Sequence, residues 1–216
     1  MPEVIFTGPA GRIEGRYHPA KQKNAPIGIV LHPHPQFGGT MNHQIVYQLY
    51  YAFVHRNFSA LRFNFRGAGL SQGEHDKGVG EVDDVRTALD WLDHEFHRPI
   101  VFAGFSFGAA VGLRVACPDP RVAALISLGT PISPVDDRSY DYDFLHTCAK
   151  PKLFVSGSRD QFASKPKLEA LVATVPEPKK LVIIEAADHF FEGRLREMRE
   201  AVESWARDIE NSSKSV

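Results

Sequence analysis

The sequence predicts an α/β protein in which a mostly parallel sheet of about eight strands carries helices on both faces. Three observations point there. Short apolar runs, rich in β-branched and aromatic residues, recur along the 216-residue chain. Between them lie stretches whose apolar residues repeat at the spacing of one helix face. The chain opens differently, on two β-rich runs split by a tight turn, which marks an antiparallel hairpin.

That hairpin is VIFTG followed by RIEGRYHP, with Gly8, Pro9, Ala10 and Gly11 supplying the turn. The buried-strand candidates come next: IGIVLH (27–32), ALRFNF (60–65), PIVFAGF (99–105), VAALISLG (122–129), KLFVSG (152–157) and KLVIIEA (180–186). Ile45, Val46, Leu49, Tyr50 and Phe53 form one apolar helix stripe, and Val82, Val85, Leu89 and Leu92 form another. The last helix carries Leu195, Met198, Val202, Trp205 and Ile209 on one face. After it, NSSKSV (211–216) has nothing to bury and is expected to be a mobile tail. No repeat or linker divides the chain, so residues 1–216 are expected to form a single domain. Residues 132–150, rich in Asp, Tyr and Pro, are too few for a cap domain, which implies an open or loop-covered site.

Composition narrows the function classes. Lys plus Arg number 25 against 26 Asp plus Glu, so no basic excess exists to neutralise phosphates, and nucleic acid is not expected as a partner. No apolar run is long enough to span a bilayer, and no membrane association is expected. The opening residues lack a basic leader and an apolar stretch, which makes the cytoplasm the expected location. Cys117 and Cys148 have neither metal-knuckle nor disulfide-framework spacing and read as small buried apolar side chains.

The pattern G-x-S-x-G occurs twice, as GFSFG around Ser106 and as GLSQG around Ser71. A nucleophile elbow needs a strand before the serine and a helix after it, with small residues two positions away where the backbone closes tightly. Ser106 follows PIVFA and leads into AAVGLRVA. Ser71 follows the turn FRGAG and precedes the polar QGEHDKGVG, so it belongs in a loop. A serine hydroxyl needs a base to take its proton. Of the histidines after Ser106, His146 precedes a strand, whereas His189 follows KLVIIEA at a strand's C-terminal end, where parallel sheets place their sites. Asp160, after LFVSGSR, lies on the same rim and suits the acid that orients the imidazole. Asp136, Asp137, Asp141 and Asp143 compete for that role, while Asp188, adjoining His189, reads as a surface residue or a local cap.

LHPHPQFGGTMN, NFRGAGLSQG, GFSFGAAVG, VSGSRDQF and EAADHFFEGR, in that order, resemble the small, cap-less bacterial α/β-hydrolases related to dienelactone hydrolases and prolyl-oligopeptidase-type catalytic domains. The resemblance runs from Ile27 to the last helix and implies the α/β-hydrolase fold with Ser106, Asp160 and His189 at the family's triad positions. Dienelactone hydrolases proper carry cysteine where this chain has Ser106, which speaks against dienelactone itself as substrate.

Acyl transfer builds charge on a carbonyl oxygen, and backbone N–H groups are expected to hold it. One donor is the amide of Phe107, the residue after the nucleophile. The second should come from HPHPQFGG, where Pro33 and Pro35 have no N–H. His34 remains, and the resemblance, which aligns His32-Pro33 with the His-Gly that opens this loop in many relatives, implies His34 as well, with Gln36 and Phe37 next in line. Phe37, Phe105, Phe107, Phe190 and Phe191 cluster around the motifs, and Phe37, Phe105 and Phe190 are the candidates to bind an acyl substrate. Arg66 could bind a substrate carboxylate or brace its turn.

These residues lead to a serine hydrolase that cleaves a small ester or thioester through an acyl-enzyme, needing no cofactor and no metal, and compatible with a homo-oligomer. The H-x-H of His32 and His34, with His43 nearby, lacks the following Asp of a zinc lactamase, and barrel amidohydrolases run to about 250 residues. GAGLSQG is followed by no helix N-terminus for a pyrophosphate. Peptidase and acyltransferase share the acyl-enzyme mechanism, and a hydrolase-fold binding module shares the fold without the chemistry.

Overall fold

The computed structural model describes residues 2–133 and 139–213, with side chains to residue 209. Strands β1 (Glu3–Gly8) and β2 (Gly11–His18) pair antiparallel with Gly8 opposite Gly11, so Pro9 and Ala10 form the turn and Gly11 takes the left-handed φ of 108° that closes it. The remaining elements alternate except where β7 follows β6: β3 (Ile27–Leu31), α1 (Gln44–His55), β4 (Ser59–Phe63), α2 (Gly80–Phe96), β5 (Ile100–Phe105), α3 (Phe107–Ala116), β6 (Val122–Leu128), β7 (Lys152–Gly157), α4 (Lys165–Thr174), β8 (Lys179–Ile184) and α5 (Leu195–Ser213). The sheet order is β1-β2-β4-β3-β5-β6-β7-β8. Pairs β1/β2 and β2/β4 are antiparallel, and all others are parallel.

Each central strand is apolar on both faces because helices cover both. Ile27, Ile29 and Leu31 of β3 join Val85 and Leu89 of α2, Val111 of α3 and Leu168 of α4 on one side. Val30 joins Ile45, Leu49 and Phe53 of α1 and Met198, Val202 and Trp205 of α5 on the other. The predicted stripes of α1, α2 and α5 are the buried ones; complete burial contributes roughly 1.5–3 kcal/mol for each large apolar side chain. Cys117 and Cys148 are both free and buried.

The chain order creates the site. After β3 the chain turns to β4 on one side, and after β5 it turns to β6 on the other, although β3 and β5 are neighbours. Their outgoing loops therefore part, leaving a crevice at the C-terminal ends of the strands. Among the described residues no insertion forms a cap: residues 139–150 hold only a short 3-10 turn, Asp143–Thr147, and buried Tyr142 ties the segment down by donating to the Pro131 carbonyl at 2.9 Å. Helix α5 runs to Ser213, three residues into the stretch expected as a tail; residues 214–216 lie outside the described residues. No described helix is long and apolar enough to cross a membrane.

Candidate active site

Ser106 occupies the single-residue junction between β5 and α3 with φ 55° and ψ −119°, a left-handed conformation that costs a non-glycine residue of order 1–3 kcal/mol. The surroundings hold it there. Its N–H donates to the Leu128 carbonyl of β6 at 2.9 Å, and its own carbonyl accepts from Ala109 and Ala110 at 2.9 and 3.0 Å, starting α3. Gly108 lets the helix close on β3, since a Cβ there would stand 2.5 Å from the His32 carbonyl oxygen. The turn projects Oγ off the rim of the sheet.

His189 arrives from the far edge. Strands β7 and β8 pair in register, Gly157 opposite Ile184, and their outgoing loops are stitched together: Arg159 N–H donates to the Ala187 carbonyl at 2.9 Å and Ala186 N–H to Ser158 Oγ at 2.9 Å. Asp160 and His189 are thereby brought side by side. The imidazole then reaches across the end of β6, where Gly129, at φ 52°, leaves room: a Cβ there would meet His189 Cε1 at 2.9 Å.

The result is a continuous chain of contacts. Ser106 Oγ lies 3.0 Å from His189 Nε2, and His189 Nδ1 lies 2.9 Å from Asp160 Oδ2. Both Asp160 and His189 are almost wholly buried. Asp160 is held by three further donors, the Phe162 and Ala163 amides on Oδ1 at 2.8 and 3.1 Å and the Ser156 hydroxyl on Oδ2 at 3.2 Å. A carboxylate at Nδ1 keeps the proton on that nitrogen, which leaves the Nε2 lone pair facing the serine hydroxyl. Such a line can take a proton from Ser106 and stabilise the imidazolium that forms.

A family model described as an alpha/beta hydrolase domain matches residues 29–216. The chain belongs to the alpha/beta hydrolase family. Among solved structures, it is similar to a protein of unknown function from Agrobacterium tumefaciens, 42% identical with a TM-score of 0.90, covering 98% of this chain and 97% of that one. An alpha-beta serine hydrolase homologue from Coxiella burnetii is 37% identical with a TM-score of 0.83, covering 94% and 96%. An α/β serine hydrolase without lid from Xanthomonas campestris is 28% identical with a TM-score of 0.83, covering 96% and 94%.

In this hydrolase the loop after β3 crosses in front of Ser106. Buried His32 braces its start: Nδ1 lies 2.6 Å from the Pro33 carbonyl, and Nε2 accepts from the Phe65 amide at 3.0 Å. Burial lowers its pKa from 6.5 to about 4, so the ring is neutral with both nitrogens engaged and no lone pair left for a metal. The loop then folds on itself. The His34 carbonyl accepts from the amides of Phe37 and Gly39 at 3.1 and 3.0 Å, and His34 Nδ1 accepts from the Gln36 amide at 3.3 Å. Gln36 and Phe37, the fallback oxyanion donors, therefore have their N–H groups turned into the loop. Phe107 is the first residue of α3, and its amide has no acceptor among the described residues.

A cavity of about 370 Å³ opens over Ser106 and His189. Its walls include Phe37, Phe190 and Phe107. Phe105 is a correction. It is fully buried behind the site, because strand alternation sends Val101, Ala103 and Phe105 to the α1/α5 face, where Phe105 packs under His189 at 4.9 Å between ring centres. Phe191 is likewise core, with no exposure. Sequence reasoning missed His43, Tyr140 and Phe162, which line the cavity from other loops. The one available signal was for Phe162, two residues past Asp160.

The competing residues have other partners. Ser71 Oγ donates to the Asn64 carbonyl at 2.7 Å and accepts from the Glu14 amide at 3.1 Å, tying its loop to β2. Arg66 forms a buried pair with Asp84, with Nε and Nη2 on the carboxylate at 3.1 and 2.8 Å, and so braces its turn. His146 is half-exposed, with Nδ1 3.3 Å from the Thr174 carbonyl. Asp141 and Asp143 lie on the surface, and Asp188 accepts from the Glu192 amide at 3.0 Å. Asp136 and Asp137 lie outside the described residues.

Proposed function

We propose that this hydrolase cleaves a small carboxylic ester or thioester through an acyl-enzyme on Ser106. The observation that carries the reading is the unbroken Asp160–His189–Ser106 line ending in a largely aromatic cavity. In the first half-reaction His189 Nε2 takes the Ser106 proton as Oγ bonds to the carbonyl carbon. Asp160 holds the charge that develops on the imidazole. The amides of Phe107 and His34 hold the oxyanion. The imidazolium then gives its proton to the leaving oxygen or sulfur, leaving the acyl group on Ser106. In the second half-reaction water repeats the sequence and releases the acid.

Acid quenching during turnover of p-nitrophenyl acetate tests this. The peptide containing Ser106 should carry one acetyl group, and Ser106→Ala should lose roughly 1,000-fold or more in rate. Turnover by Ser106→Ala near the wild-type rate would refute the proposal.

A further inference from the structure

His43 is a cavity wall that the proposed chemistry does not use. It precedes α1 as its N-cap, and its Nδ1 accepts from the Ile45 amide at 3.3 Å. Its ring stacks on Phe105, 25° from parallel with centres 5.6 Å apart, and meets Phe190 at 6.2 Å. Both phenylalanines also touch His189, so His43 stands one ring away from the reacting group. Burial, and then the nearby His189, lower the pKa of His43, so the imidazole is neutral in neutral solution. A neutral ring whose Nδ1 accepts must carry its proton on Nε2. That N–H has no acceptor among the described residues, and the ring lines the cavity.

We infer that His43 Nε2–H is a specificity-determining donor, and that the substrate carries a hydrogen-bond acceptor oxygen several bonds away from its scissile carbonyl. The inference rests on the ester-hydrolase reading and narrows its substrate class to esters or thioesters with an ether, keto or hydroxyl oxygen. The chemistry favours discrimination here: a donor in a partly buried aromatic wall loses its water when a hydrocarbon fills the site and regains a partner only from an acceptor. The capping bond matters as well, because it fixes which nitrogen carries the proton and stops the ring from presenting a lone pair instead.

The test compares isosteric pairs differing by one acceptor. On the acyl side these are p-nitrophenyl pentanoate and p-nitrophenyl 4-oxopentanoate; on the alcohol side, butyl acetate and 2-methoxyethyl acetate. The ratio of kcat/KM within each pair is measured for wild type, His43→Phe and His43→Asn. Intrinsic reactivity cancels when ratios are compared between proteins. The phenylalanine keeps the aromatic stack and loses both nitrogens, whereas the asparagine keeps a capping oxygen and loses the ring. In at least one pair the preference for the acceptor-bearing ester should fall on the order of 10-fold in both folded variants. Ratios unchanged in both pairs, with Ser106 still acylated and esters still turned over, would overturn the donor role alone. Absence of any ester turnover or acylation in wild type would remove the hydrolase reading, and this inference with it.

Discussion

Both ring nitrogens of His32 are bonded to backbone, one to each of two segments that frame the proposed oxyanion site. The ring is fully buried and stays neutral down to about pH 4, whereas in the unfolded chain it takes a proton below its ordinary 6.5. Between those values the unfolded state binds more protons, so stability falls as the solution is acidified. The contribution is complete above pH 6.5 and is lost as the pH drops towards 4, about 3 kcal/mol in all. Urea unfolding of wild type and His32→Asn from pH 7 to pH 4.5 should therefore show the stability gap between them narrowing by about 2–3 kcal/mol. A gap that does not change with pH contradicts a neutral buried brace. The sequence marked His32 only as the start of a loop and as half of an H-x-H pair. What made it a brace was the Phe65 amide, delivered by β4, and no local pattern encodes that pairing.

At the scale of elements, the loop after β3 brings His34 in front of Ser106 while its internal hydrogen bonds engage the amides of Gln36, Phe37 and Gly39. The backbone of His34, rather than its imidazole, is the proposed oxyanion donor. His34→Ala keeps that amide and should retain a substantial fraction of the rate, whereas His34→Pro deletes it and should cost on the order of 100-fold or more. Circular dichroism and melting establish that each variant is folded. A folded His34→Pro with near wild-type activity would place the second donor elsewhere, and equal damage from His34→Ala would assign the role to the ring.

These elements also show why some of the site was legible in the sequence. Ser106, Asp160 and His189 each follow a strongly apolar strand, and strand ends in a parallel sheet converge by topology alone. Tyr140, Phe162 and His43 follow no such rule, since a cavity wall depends on how far each loop leans over the rim. Phe105 was misread for the opposite reason. Its neighbour Ser106 faces the site, but alternation along β5 turns Phe105 towards α1 and α5, and the shared parity of Val101, Ala103 and Phe105 was visible in the run.

Across the whole molecule, the two G-x-S-x-G strings show how context assigns chemistry. One serine sits in a left-handed strand-to-helix turn against a buried histidine, and the other is locked by two backbone hydrogen bonds in a loop. The order of strands produces the difference: β3 and β5 lie together while their loops diverge, so a serine after β5 faces a crevice and one in the loop after β4 does not. A fluorophosphonate probe reads this directly, since it phosphonylates only a serine whose hydroxyl is activated by a base. Wild type and Ser71→Ala should both be labelled, with the modified peptide containing Ser106, and Ser106→Ala should not react. Labelling that survives Ser106→Ala and disappears in Ser71→Ala would contradict the central claim.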